Sequence, residues 1–140
     1  MAETSQALGL VVVTPTGVAV KTEVESVQVP GVQGELGILP RHLPLLSALK
    51  PGVLRYRKQD KYQVAALDSG YVEVGAAKVT LLTARYAAPE SIDLEAAKKE
   101  LAEAEEKLKS FVGLHEGAEH AEVLRAIDWA RAQLAIAEVH

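Results

Sequence analysis

The residue pattern changes character at residues 87–91, and this change divides the chain into two segments that need different secondary structure. Residues 8–87 are rich in Val, Thr, Leu and Tyr, and turn-forming residues interrupt them at short intervals. Short alternating runs between closely spaced turns are typical of an antiparallel sandwich or barrel rather than of a parallel α/β sheet. We therefore predict an N-terminal antiparallel β-sandwich of about ten short strands over residues 1–88, in which residues 43–49 could instead form a turn of helix.

The second segment, residues 89–140, has the pattern of two helices. Pro89 ends the last strand, and Ser91 is the predicted N-cap of a helix that continues to residue 112. Apolar side chains of this helix recur at spacings of three and four residues, which is typical of a coiled-coil seam: Leu94, Ala97, Leu101, Ala104, Leu108 and Phe111.

After a break at residues 113–117, a second helix over residues 119–138 carries a similar stripe of Val123, Ile127, Ala130, Leu134 and Ala137. Two helices joined by a short break predict an antiparallel two-helix hairpin. Because alanines bury little area, we expect the hairpin to be the less stable half of the molecule.

Composition excludes several classes of protein. A formal charge of −4 argues against a nucleic-acid binder, which usually carries a basic surface. The chain has no cysteine, so it has neither disulfides nor thiolate metal sites. Residues 1–7 lack the basic and apolar regions of a secretory signal, and no run of about 18 apolar residues occurs. We therefore expect any membrane association to come through a partner.

Sequence motifs for enzyme chemistry are absent. The four histidines are His42, His115, His120 and His140, and the chain has no P-loop, no G-x-S-x-G and no G-x-G-x-x-G. The spacing of His115 and His120 matches no strong ligand pattern, so solvated turn residues are the favoured interpretation there. We expect no catalytic residue, no metal site and no independent active site.

The most specific string is Gly-Glu-Leu-Gly-Ile-Leu-Pro-Arg-His-Leu-Pro-Leu-Leu at residues 34–46, which Lys-Pro-Gly follows at residues 50–52. Its glycines allow positive φ or close backbone approach, and its prolines fix φ and remove two donors. This pattern predicts a bent loop that presents binding residues at a surface: Gly34, Glu35, Gly37, Arg41 and His42. A plain connection between two strands explains the same residue types equally well.

This string is similar to the Gly-Glu-Leu-Gly-Ile-x-Pro-x-His-x-Pro-Leu-Leu and Lys-Pro-Gly pattern of the epsilon subunit of bacterial and chloroplast-type F-type ATP synthases. The similarity runs from about residue 7 to the C-terminus and is strongest over residues 24–83. It implies a β-sandwich with a C-terminal helical hairpin, in a non-catalytic subunit of a proton-translocating complex. It also implies a place in the rotating central stalk, peripheral to the cytoplasmic face of the bacterial plasma (inner) membrane.

The resemblance further implies the partners of each part. The string at residues 34–46 would face the c-ring, whereas the gamma-binding face is open, with the region around Leu43, Leu45 and Leu46 as our hypothesis. The hairpin would fold down on the sandwich or extend toward the alpha/beta catalytic head and block ATP hydrolysis. Basic residues would then contact the head: Lys98, Lys99, Lys107, Lys109, Arg125 and Arg131. From the residues alone, solvated helix faces are the default interpretation of these cations.

Residues 127–132, Ile-Asp-Trp-Ala-Arg-Ala, match a pattern that is linked to ATP binding in some epsilon subunits. Those subunits carry it near the start of the first C-terminal helix, where this chain has Ala96 in place of the arginine. Asp128 and Arg131 are therefore a weak ATP candidate, and an ordinary solvated pair explains them as well. No other cofactor is expected. The alternative function is a generic β-sandwich adaptor with a coiled-coil arm.

Overall fold

The N-terminal segment folds into ten strands, as a computed structural model shows; the structure describes residues 7–111 and 117–139. The strands are β1 (Leu8–Thr14), β2 (Gly17–Val24), β3 (Ser26–Gly31), β4 (Gly34–Ile38), β5 (Leu45–Leu49), β6 (Gly52–Lys58), β7 (Lys61–Leu67), β8 (Gly70–Val74), β9 (Lys78–Thr83) and β10 (Tyr86–Ala87). The predicted sandwich class and strand number are confirmed. Residues 45–49, which the sequence leaves open between strand and helix, form a strand.

The strands follow the order β10-β7-β6-β3-β5-β8-β9-β1-β2, and β4 pairs with β3. β3 and β5 share the single pair Gly31–Leu49, so the sheet turns there from one layer of the sandwich to the other. Nζ of Lys58 on β6 donates to Oγ1 of Thr22 on the terminal strand β2 at 2.6 Å, which links the two layers. β1 and β9 pair in parallel, which departs from the antiparallel pairing of the other strand pairs in the described residues.

Branched aliphatic side chains from both layers fill one core. On β1, Leu8, Leu10 and Val12 are fully buried, while the residues between them face outward. Val72 and Val74 of β8 follow the same alternation. Inward-facing positions two residues apart are what the pleat of a strand requires.

The second segment begins with a 3₁₀ turn at Pro89–Ser91, and α1 (Leu94–Lys109) follows. The predicted N-cap at Ser91 is wrong, because the cap is Asp93, whose Oδ1 accepts from the Ala96 N–H at 3.1 Å. The Ser91 hydroxyl instead donates to the Ala88 carbonyl within the preceding turn, at 2.8 Å. Because Ser91 belongs to the 3₁₀ turn, it cannot cap α1, and α1 starts later than expected.

α2 (Ala118–Val139) packs on α1 along the predicted seam. One buried cluster of this seam consists of Ala104, Val123 and Ile127, with Leu101, Leu108 and Phe111 around them. Leu94 lies outside the seam and is 41% exposed, which corrects its predicted place in the stripe.

A second face of α2 lies on the sandwich. Trp129, Ala132 and Ile136 pack against Ala66 of β7, with Val53 of β6 beside them. α2 is therefore apolar on two sides, because one faces α1 and the other faces the sheet. Within the described residues, neither helix has a stretch long and apolar enough to cross a bilayer.

Candidate partner-binding surfaces

The first part of the Gly-Glu-Leu-Gly string is strand β4 and not the bent loop predicted for it. β4 pairs with β3 along its whole length, because Leu36 and Ile38 point inward and supply the apolar side that pairing beside a core requires. Glu35 and Gly37 point outward and are exposed. Gly34 has φ +131° at the β3–β4 turn, whereas Gly37 lacks a positive φ and has open space where a Cβ would lie.

Residues 39–44 form the bent part of the string and connect β4 to β5. The Arg41 N–H donates to the Ala76 carbonyl at 3.0 Å, which fixes the loop to the β8–β9 turn. Arg41 adopts φ +68°, in the left-handed region. The His42 N–H donates to the Leu39 carbonyl at 3.1 Å, and Nδ1 of His42 lies 2.7 Å from the Leu43 carbonyl, so Nδ1 carries the proton in this contact.

The five predicted residues of this string are spread along β4 and do not form one cluster. Glu35 lies near the β3–β4 turn, while Arg41 and His42 lie past the opposite end of the strand. With a rise of about 3.3 Å per residue, Glu35 and Ile38 are roughly 10 Å apart along β4. The outward positions Glu35, Gly37 and Leu39 form an exposed line. Gly37 has no side chain, so the backbone at the centre of this line is uncovered.

Three exposed leucines lie in or just after the loop, and the first of them, Leu39, was not among the predicted binding residues. Leu39, Leu43 and Leu46 are 62%, 80% and 71% exposed. Leu45, which our hypothesis placed with them, instead packs partly against the core. Because several large apolar side chains close together at a surface mark interaction sites more often than single ones, the loop is a candidate partner surface. The leucine run itself carries this signal in the sequence.

A second apolar surface crosses the outer face of the layer formed by β5, β8, β9, β1 and β2. Its side chains lie opposite one another in the strand register: Ala48, Tyr71, Leu82, Val13 and Val18. Tyr71, Leu82 and Val18 are 56%, 49% and 61% exposed. We call these five residues the outer row. Each strand contributes one residue, so no single stretch of sequence reveals the row before the register is known.

The basic residues that the sequence analysis assigned to the catalytic head are exposed but do not form one patch. Lys98 lies 3.9 Å from Glu95, and Arg131 lies 3.3 Å from Glu105 across the hairpin. Lys107 lines a cleft of about 320 Å³ between the helices, which three glutamates also line: Glu100, Glu103 and Glu122. Lys99, Lys109 and Arg125 are exposed. In the folded hairpin, acidic side chains are interspersed among these cations.

The weak ATP candidate residues lie on α2, where Asp128 is half-buried and Arg131 is exposed. Arg131 pairs with Glu105 of α1, as described above. An arginine held by a carboxylate must leave that partner before it can bind a phosphate. The geometry therefore places Arg131 in a hairpin contact that the sequence alone does not reveal.

The titratable groups of the described residues include a buried histidine and a tyrosine with a strongly raised pKa. No group of three or more His, Asp or Glu side chains in the described ranges could hold a metal ion. His120, predicted as a solvated turn residue, is buried, with its ring edge-to-face to Phe111 at 5.5 Å; His115 and His140 lie outside the described residues. Burial raises the pKa of Tyr86 to about 12, and Tyr56 and Glu90 add to this shift. A phenol with that pKa stays neutral near neutral pH.

Comparison with known proteins identifies relatives of this chain. The family model described as ATP synthase, Delta/Epsilon chain, beta-sandwich domain matches residues 7–89. The ATP synthase epsilon chain of Leptospira interrogans (serovar copenhageni) is 45% identical over 94 residues, which cover 67% of this chain and 74% of the relative. The ATP synthase epsilon chain of Desulfitobacterium hafniense (strain Y51) is 38% identical over 116 residues, or 83% and 88% of the two chains.

Among solved structures, a chain of the Euglena gracilis mitochondrial ATP synthase, in its OSCP/F1/c-ring assembly, superposes with a TM-score of 0.78. It is 21% identical, and the match covers 99% of this chain and 85% of that one. At this identity the likeness concerns the fold, and it includes the helices, which lie beyond the residues matched by the family model.

Proposed function

Because this chain belongs to the Delta/Epsilon family of ATP synthase chains, with epsilon chains as its relatives, we propose that it is a rotor subunit of the central stalk. In this proposal the sandwich, residues 1–88, binds gamma and the c-ring and transmits rotation between them. The hairpin, residues 89–140, regulates ATP hydrolysis in the catalytic head. The chemistry itself occurs in other subunits, and this chain reaches the cytoplasmic face of the inner membrane only through the complex.

The exposed loop at residues 39–44 is the observation that carries the c-ring part of the proposal. Leu39 and Leu43 project from one end of the sandwich, and the backbone bond to Ala76 holds the loop in place before a partner arrives. A preorganised loop loses little conformational freedom on binding, so its apolar contacts contribute to affinity with a smaller entropic cost. In the proposed contact, Glu35 meets polar or basic loop residues of the c-ring, and bare backbone at Gly37 allows close approach.

Replacement of Leu43 tests this surface in the assembled complex. Leu43→Ser should weaken co-purification of the chain with the c-ring, since it removes an exposed apolar side chain from the proposed contact. Leu124→Ser is the matched control, because Leu124 is an exposed leucine on α2, away from the loop. Equal retention of both variants on the c-ring would contradict the assignment of the loop.

The outer row is our proposal for the gamma-binding face. It replaces the earlier hypothesis of Leu43, Leu45 and Leu46, of which only Leu46 lies beside the row. The row offers an extended apolar surface across five strands, of the kind that stable interfaces bury at their centres. Tyr71→Ser should reduce binding to isolated gamma, whereas Tyr62→Ser, at a tyrosine 65% exposed on β7, should not. Unchanged binding of the Tyr71 variant would remove the outer row from consideration.

The regulatory part of the proposal is a shift between two hairpin positions. With the hairpin docked on the sandwich the complex hydrolyses ATP, and with the hairpin extended toward the alpha/beta head rotation is blocked. Among the described residues, the buried cluster at the docking face has only four members, two of which are the alanines Ala66 and Ala132, and this supports a modest free-energy difference between the two positions. A difference of a few kcal/mol is within the range that ligands and partner contacts can reverse. Basic side chains such as Lys98 and Lys109 would contact the head only in the extended position.

The decisive experiment measures ATP hydrolysis by a reconstituted ATP synthase core lacking this chain, to which the full chain or residues 1–88 are added. We expect the full chain to inhibit hydrolysis and the truncated chain to bind without inhibition. Binding by both without inhibition would retain the stalk role and reject the brake. Absence of binding by either would reject the stalk role as well.

Calorimetric titration of the isolated chain with MgATP tests the weak nucleotide candidate. If Asp128 and Arg131 bind ATP, Arg131→Ala should abolish the heat and Arg125→Ala should preserve it. Absence of heat at millimolar nucleotide would reject ATP binding.

A further inference from the structure

A buried carboxylate on the sandwich holds an arginine beside the docked helix. Asp68, at the end of β7, is 7% exposed, and its Oδ1 accepts from the Ser69 N–H at 2.7 Å. Its Oδ2 accepts from Nε of Arg85 at 2.8 Å. The backbone around the pair is clamped as well, because the Thr83 hydroxyl donates to the carbonyls of Asp68 at 2.9 Å and Arg85 at 3.0 Å.

The guanidinium of Arg85 reaches from this clamp to the hairpin. Its Cζ lies 4.6 Å from the ring centroid of Trp129, within the range of a cation–π contact. Trp129 is 6% exposed, while the Arg85 side chain remains 52% exposed. The contact therefore joins an arginine fixed to the sandwich with the one tryptophan of the chain, which belongs to α2.

Trp129 is the largest side chain in the docking interface. α2 contacts β6, β7 and the 3₁₀ turn, whereas α1 packs mainly on α2. The buried residues of the docking cluster besides Trp129 are Ala66, Ala132 and Ile136. Small side chains bury little apolar area, so a large share of the contact depends on the indole.

We propose that Asp68 and Arg85, which we call the catch, bind Trp129 and thereby set the fraction of molecules with a docked hairpin. This inference rests on the proposed movement of the hairpin and names the residues that control it. Asp68 positions Arg85, and Arg85 makes the contact that is lost on release.

The catch is suited to reversible release. When Trp129 leaves, Arg85 keeps its ion pair with Asp68, so undocking does not leave a buried charge without a partner. Loss of a partner by a buried charge is the event that makes most buried ion pairs costly to break. Lysine would be a poorer replacement. The planar guanidinium of arginine can bind the carboxylate through Nε while it stacks on the indole, whereas the compact ammonium of lysine cannot do both.

Distances between two spin labels on the isolated full-length chain test the catch. Because the chain has no cysteine, Lys61→Cys on β7 and Ala135→Cys on α2 introduce two unique label sites at exposed positions. Arg85→Ala should raise the undocked population about five- to tenfold, the ratio that corresponds to a partly desolvated cation–π contact. Arg85→Lys should give a smaller rise, and Lys78→Ala, at an exposed cation on β9, should give none.

A double-mutant cycle separates loss of the Arg85–Trp129 contact from effects of either substitution on folding. If the two residues act through one contact, Trp129→Leu in the Arg85→Ala background should add less undocking than it does alone. Fluorescence of Trp129 provides a second measure, because the indole emission should shift to longer wavelength as it enters water. Additive effects, or unchanged label distances in a folded Arg85→Ala chain, would overturn the catch.

The same variants distinguish failure of the catch from failure of the proposed brake. If the label distances change but inhibition by the full chain in the reconstituted core does not, the catch holds and the brake is rejected. If the distances do not change, the catch is rejected whatever the hydrolysis assay gives.

Discussion

At the scale of single residues, Gly70 and Gly37 differ in what an added methyl group would meet. A Cβ on Gly70 would lie 1.8 Å from the Leu82 carbonyl oxygen of the neighbouring strand, whereas a Cβ on Gly37 would meet nothing within 4 Å. Gly70→Ala should therefore destabilise the sandwich by about 3 kcal/mol, at the upper end of overpacking costs, because the obstacle is backbone. Urea unfolding measures this, and Gly37→Ala is the control. Equal midpoints for the two variants would contradict the prediction.

Tyr86 gives the clearest pH dependence at this scale. Its pKa is raised from 10.0 to about 12 by burial first and by Tyr56 and Glu90 second. Between these pH values the unfolded chain has lost the phenolic proton and the folded chain keeps it, so stability falls as the pH rises. Below pH 10 the contribution of Tyr86 to the free energy of unfolding is fully present.

Tyr86→Phe should flatten this fall between about pH 10 and 12, since phenylalanine keeps the packing and has no proton to lose. Unfolding midpoints in urea, measured at several pH values, provide the comparison. Tyr62→Phe, at an exposed tyrosine, should leave the slope as it is in the parent chain. A steeper fall for the Tyr86 variant than for the parent chain would reverse the assignment.

At the scale of elements, the start of α1 is determined by a cap that follows a 3₁₀ turn. Asp93→Ala removes the side-chain acceptor of the Ala96 N–H and should cost about 1 kcal/mol of helix stability. Ser91→Ala removes a hydroxyl that bonds only within the preceding turn and should cost less. Thermal melts followed by circular dichroism at the helix minimum distinguish the two. A larger loss in the Ser91 variant would restore the N-cap predicted from the sequence.

The elements also show which parts of the structure a sequence can predict. Alternation in β8 and the spacing of the α1–α2 seam each arise from one element packed against one core, and the structure shows both patterns except at Leu94, which lies outside the seam. Trp129 and Ile136 face the sheet from the second apolar side of α2. A helix with two apolar sides has no single hydrophobic stripe, so its periodicity does not show which residues face the sheet. The string at residues 34–46 indicated the family, but its glycines and prolines could not show that the first part pairs as a strand.

At the scale of the whole molecule, the outer row and the catch depend on residues that are far apart in sequence. Tyr71 and Leu82 become neighbours through the β8–β9 register, and Arg85 meets Trp129 only after α2 has docked. Such pairs leave no local periodicity, so sequence analysis finds each residue without its partner. Both proposals therefore depend on residues whose proximity becomes visible only once the fold is known.

The two segments should also differ in how they open. Leu10, Val12 and Leu81 belong to a fully buried core that spans both layers, so their amides should exchange with solvent only through global unfolding. The hairpin rests on the sheet through few large side chains, so amides of α1 and α2 should exchange through a smaller opening that leaves the sandwich intact. Native-state hydrogen exchange at increasing urea measures both openings. Arg85→Ala should speed exchange in α2 while leaving β1 and β9 unchanged, because it weakens docking without touching the core. If helix and strand amides merged into one opening at all urea concentrations, the hairpin would be an integral part of the sandwich, and a brake that works by its release would have no physical basis.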